Sequence, residues 1–105
     1  MKSLPLIVPD GCALSPAELA DQAGRAERLR PSVARLERSE DALRVAFEPG
    51  VDRALVDELV ATEQGCCTFL EVEYEDAART LQIGARDAQG REVVRRLAEF
   101  FGEGR

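Results

Sequence analysis

Ala42-Leu43-Arg44-Val45-Ala46-Phe47-Glu48-Pro49-Gly50 runs directly into Val51-Asp52-Arg53-Ala54-Leu55-Val56-Asp57-Glu58-Leu59-Val60. Within this stretch the hydrophobic period changes from that of a strand to that of a helix. Leu43, Val45 and Phe47 share one side and Arg44 takes the other, the alternation of a half-buried strand. Pro49-Gly50 is turn chemistry and ends it. Val51, Leu55, Val56, Leu59 and Val60 then recur three and four apart, which predicts an amphipathic helix over 51–67. A strand and a helix joined by so short a turn must share one core.

Upstream, residues 32–38 read as a second strand, joined to the first by the polar turn Ser39-Glu40-Asp41. Leu14-Ser15-Pro16-Ala17-Glu18-Leu19 carries a helix start: Ser15 as N-cap, Pro16 at the first helical position, Glu18 closing a capping box. Leu14 and Leu19 fit a hydrophobic staple. That helix extends to Leu29, with Pro31 marking its end. Residues 3–8 fit an extended segment or edge strand.

Downstream, Leu70, Val72 and Tyr74 alternate with Glu71, Glu73 and Glu75. After a turn at 76–79, Leu81, Ile83 and Ala85 share a face in a strand over 80–86. A last helix over 88–101 turns Val93, Val94, Leu97, Phe100 and Phe101 inward. The order is α-β-β-α-β-β-α. Its economical solution is an α+β two-layer sandwich, a four-stranded antiparallel sheet covered by helices on its apolar side. The repeated strand-strand-helix order is compatible with a ferredoxin-like or related arrangement, but it does not set the strand order.

The 105 residues make a single domain, 1–105, and a hydrophobic content of 45% supplies one core. The formal net charge of −6 argues against direct nucleic-acid binding, which needs a basic field. The apolar run 4–8 is short, holds Pro5 and meets Pro9-Asp10-Gly11, so no signal peptide is read there. No stretch approaches a membrane span. A cytoplasmic location with reduced thiols follows. Three cysteines, an odd number, disfavour a disulfide framework. With no histidine, histidine acid–base catalysis and His-containing metal sites within one chain are excluded. No catalytic residue is assigned, and the chain reads as a binding protein before an enzyme. A homodimer or a protein partner is left open.

One residue breaks the helix pattern. Glu63 falls on the apolar stripe of 51–67, where a carboxylate is costly unless paired, hydrogen-bonded or protonated. Cys66 and Cys67 follow at i+3 and i+4, close to it on the helix surface. Cys12 lies just before the first helix, where the dipole favours thiolate. The pair is at a helix C-terminus, where the dipole opposes it, and an ionised Glu63 adds repulsion. A bound cation reverses that balance by stabilising all the negative ligands together. Plainer roles stand beside these. Taken alone, Cys12 reads first as a small buried hydrophobe. Glu63 fits equally a structural anchor that caps backbone or pairs with Arg25 or Arg53. Glu71, Glu73 and Glu75 read as a solvated strand face, and Arg91, Arg95 and Arg96 as the outer side of the last helix.

The segment Glu63-Gln64-Gly65-Cys66-Cys67-Thr68-Phe69-Leu70 resembles a motif of a family of small bacterial proteins. Members carry Glu, two residues, Cys-Cys and an aromatic, usually with proline where Thr68 stands, and a Cys-x-Leu matching Cys12-Ala13-Leu14. Similar segments are associated with mercury-resistance-type regulators and heavy-metal operons. The resemblance implies metal or metalloid handling.

Soft thiolates select copper(I), zinc, mercury(II) or arsenite. Cys66 and Cys67 are the expected principal metal ligands, Cys12 the third, and Glu63 a fourth ligand or a neighbouring base. For Cys12 to join, the start of the first helix must face the end of the second, as adjacent antiparallel helices allow. Two other classes compete: a thiol-redox enzyme using Cys12 with Cys66 and Cys67, and a small ligand- or partner-binding domain with structural cysteines and an apolar pocket in which Glu63 orients the ligand.

Overall fold

A computed structural model describes residues 16–66 and 69–103, with the backbone alone for Pro16, Leu19, Gly65, Cys66 and Glu103. Its elements are α1 (Pro16–Leu29), a 3-10 turn (Arg30–Ser32), β1 (Val33–Arg38), β2 (Ala42–Phe47), α2 (Arg53–Cys66), β3 (Leu70–Glu75), β4 (Thr80–Ala85) and α3 (Ala88–Glu103). The α-β-β-α-β-β-α order and the α+β class are those expected. The Ser15 cap, the Leu14–Leu19 staple and the extended segment 3–8 lie outside the described residues or side chains.

The four strands form one antiparallel sheet in the order β1-β2-β4-β3. Both hairpins survive as neighbours, and the sheet closes through β2 against β4, where Arg44 faces Gln82 and Val45 faces Leu81. β2 and β3 therefore run parallel with β4 between them, so β2-α2-β3 is a split β-α-β unit. Were β1 placed after α3 instead of before β2, the chain would read β-α-β-β-α-β. The sheet thus has ferredoxin-like order, entered one strand early. An irregularity between Val33 and Arg35 breaks the alternation of β1, whose Leu36 packs on the core only in part.

Apolar side chains of one sheet face make the floor of the core: Leu43, Val45 and Phe47 of β2, Leu70 and Val72 of β3, Leu81 and Ile83 of β4. The helices supply the roof with Leu55, Val56, Leu59 and Val60 of α2 and Val93, Val94, Leu97, Phe100 and Phe101 of α3. Each such side chain, fully buried, contributes about 1.5–3 kcal/mol. Arg44, Glu71, Glu73 and Glu75 are exposed on the opposite sheet face, the half-solvated pattern of an antiparallel sheet. Ala26 and Leu29 attach α1 to this core. Arg30 stacks over Phe100 at 4.7 Å.

The helix starts differ from the sequence reading in one respect. α2 begins at Arg53, not at position 51, because Asp52 is its cap: Asp52 Oδ1 accepts the Leu55 N–H at 3.2 Å. Val51 stays in the turn, its N–H donated to the Glu48 carbonyl at 3.0 Å. Asp87 caps α3 in the same way, accepting the Gly90 N–H at 2.9 Å. Among the described residues no helix is long and apolar enough to cross a membrane.

Candidate functional site

Glu63 is buried, 6% exposed, on the core side of α2, where the helical spacing puts it. Its carboxylate is not left bare. Gln22 of α1, fully buried, donates from Nε2 to Glu63 Oε2 at 2.8 Å and to the Leu59 carbonyl at 2.9 Å. Gln22 Oε1 accepts from Arg25 Nη1 at 2.7 Å. Arg25 also reaches Thr62 Oγ1 at 3.4 Å and Glu58 at 3.8 Å. Both protons on the Gln22 nitrogen and its oxygen are thus used. Turning the amide over would set Nε2 against the Arg25 guanidinium and Oε1 against two acceptors, so its orientation is set from both ends.

The same contacts give the direction of the helix pair. Gln22 meets Leu59 and Glu63, while Arg25, further along α1, meets Glu58 and Thr62, earlier on α2. The two helices are antiparallel. The start of α1 accordingly lies toward the end of α2. From Gln22 back to Pro16 is about 9 Å of helix, and from Glu63 on to Cys66 about 4.5 Å.

The expected site residues divide as follows. Cys66 is the last residue of α2, one turn beyond Glu63. Cys67 and Cys12 lie outside the described residues. Among the described residues no group of three or more His, Cys, Asp or Glu side chains is placed to hold a metal ion. Of the two arginines considered for Glu63, Arg25 joins through Gln22. Arg53 stands at the other end of α2, against Asp57 at 3.7 Å and Asp76 at 3.3 Å. Sequence reasoning missed Gln22. Its signal was present: Gln22, Ala26 and Leu29 fall at i, i+4 and i+7, which puts a polar amide on the apolar stripe of α1.

The chain on both sides of the cysteine pair is anchored. Gln64 Nε2 donates to the Val72 carbonyl of the edge strand at 2.7 Å. Phe69 is 2% exposed, and its carbonyl accepts the Arg86 N–H at 2.9 Å. α3 comes so close there that a Cβ on Gly90 would stand 2.3 Å from the Phe69 oxygen.

Beneath α2, a cavity of about 10 Å³ is bounded by Ala26, Leu59, Leu70, Val72, Leu97 and Phe101, with Glu63 its one ionisable neighbour among the described residues. That is room for about one water molecule. At the far end of α2, burial and the nearby Asp76 push the Tyr74 phenol above its ordinary pKa. On the outer side of α3, hydrogen bonds from Arg95 and Arg96 hold Glu92 below the usual carboxylate range, and Glu92 in turn raises Arg95. Arg91 lies 3.9 Å from Asp41. These arginines are surface ion pairs, as their sequence position suggested.

Compared with protein families, curated proteins and solved structures, the chain matches none. Its class is therefore defined by its own geometry: a small α+β sandwich with a buried, amide-held carboxylate one helical turn before Cys66.

Proposed function

We propose that the chain is a soft-metal or metalloid binding domain that serves in sensing, buffering or delivery. Cys66 and Cys67 are the principal ligands, Cys12 the third, and Glu63 a fourth ligand or the base beside them. The observation that carries this reading is Glu63: a buried carboxylate, held by Gln22 at 2.8 Å, one helical turn before Cys66. The antiparallel pairing of α1 and α2 supports the inclusion of Cys12, four residues before Pro16, because it turns the start of α1 toward the thiol end of α2. Thiolates with a carboxylate suit copper(I), mercury(II), zinc or arsenite. When bound, the ion supplies positive charge that stabilises the deprotonated thiols. The resemblance of residues 63–70 to segments from heavy-metal operons points the same way. The reading takes the reducing cytoplasm as compartment, and the net charge of −6 speaks against nucleic acid as partner. Among the described residues the space beneath α2 is about 10 Å³, too small for an organic ligand.

The test is titration of the reduced protein with copper(I), mercury(II) or arsenite, read by native mass spectrometry and by alkylation. About one ion per chain binds and protects Cys66 and Cys67 from alkylation. Cys66→Ser with Cys67→Ser abolishes the protection, and Cys12→Ser weakens it. Absence of tight ion binding, with cysteine-dependent turnover of a disulfide or peroxide, replaces this reading by the redox one.

A further inference from the structure

We infer that Gln22 is a positioning residue for the thiol site: it holds the Glu63 carboxylate in place from the neighbouring helix, so that α1 is part of the site's machinery and not only its cover. The inference rests on the metal-binding reading for its purpose, but on the geometry of the α1–α2 seam for its substance. Gln22 is fully buried, and none of its side-chain polar atoms is idle. Its nitrogen must donate, since it faces the Leu59 carbonyl, and its oxygen must accept, since it faces a guanidinium. Glu63 Oε2 is therefore held as an acceptor. Arg25, with 20% of its side chain exposed, carries the chain of contacts outward to Glu58. A residue needed only to fill the seam would be apolar, as Ala26 and Leu29 are on the same stripe. Such outer partners orient ligating carboxylates, and their loss typically weakens metal affinity by about 10–100-fold.

The experiment is a double-mutant cycle on Gln22→Met and Glu63→Gln, with Gln22→Asn as a shorter amide. Copper(I) affinity is read by competition with a chromophoric chelator. Iodoacetamide reactivity of Cys66 is read without metal, in a Cys12→Ser, Cys67→Ser background. Gln22→Met lowers copper(I) affinity about tenfold where Glu63 is present and changes it little once Glu63→Gln is made. Gln22→Asn, which keeps the chemistry but not the reach, gives no more than partial rescue. Equal losses in both Glu63 backgrounds would make Gln22 a structural residue and overturn the inference. If the wild type binds no copper(I), the metal reading falls, and the alkylation arm decides for Gln22 alone. There, Gln22→Met shifts the metal-free Cys66 rate about threefold or more only where Glu63 is present, since Cys66 follows Glu63 by one turn of the same helix. An unchanged rate overturns the positioning role.

Discussion

Gln22 and Glu63, 41 positions apart in the chain, share a buried hydrogen bond of 2.8 Å that joins α1 to α2. It meets the desolvation cost of Glu63 with an uncharged amide. That choice of partner makes the structural and the functional roles of Glu63 separable.

Glu63→Gln keeps an oxygen that accepts from Gln22, so the stability in urea changes by less than about 1 kcal/mol. Soft-ion affinity falls, because the charge is gone. Glu63→Leu deprives Gln22 of an acceptor and costs about 1–3 kcal/mol. A large stability loss for Glu63→Gln with unchanged ion affinity would assign Glu63 to the scaffold alone.

Gly90→Ala destabilises the fold. A Cβ there stands 2.3 Å from the Phe69 oxygen and 3.2 Å from Ala85 Cα. Both obstacles are backbone, so α3 or the start of β3 must move, at about 1–3 kcal/mol. The shift falls on the residue that leads out of the cysteine pair. Thermal unfolding together with Cys66 alkylation rates checks both effects, and an unchanged melting temperature would refute the close approach.

The helix caps carry stability. Asp52→Ala and Asp87→Ala each cost about 1 kcal/mol, through the Leu55 and Gly90 N–H groups they leave unpaired. Soft-ion affinity stays at the wild-type value for Asp52→Ala, because Asp52 caps α2 at the end away from Cys66. A cap variant as stable as wild type in urea counts against the assignment.

Tyr74 sets an alkaline limit. Its folded pKa lies above the ordinary 10.0, chiefly through burial and then through Asp76. The folded state therefore favours the neutral phenol, and this contribution is fully present below pH 10.0 and lost as pH rises through the folded value. Stability falls in that window for the wild type, and less for Tyr74→Phe. Identical alkaline unfolding curves for the two proteins would exclude Tyr74 as the cause.

What was legible in the chain, and what was not, follows from the range of each interaction. The alternation of Leu43, Val45 and Phe47 and the helical recurrence of Leu55, Val56 and Leu59 are local, and each fell in the element expected. Asp52 shifted the start of α2 because a cap is a hydrogen bond from one particular acid, invisible to hydrophobic period. Glu63 was visible as a break in a stripe. Gln22, a break of the same kind, is hard to see because α1 is otherwise polar along much of its length.

The sequence by itself determined the element types, the α+β class and the burial of Glu63 beside the thiol pair, since periodicity records which face of each element leaves water. Only the tertiary structure decided that β2 pairs with β4, that α1 runs antiparallel to α2, and that Gln22 is a partner of Glu63. Those outcomes depend on contacts between distant segments, where many pairings satisfy the same local pattern and packing of the whole core selects one.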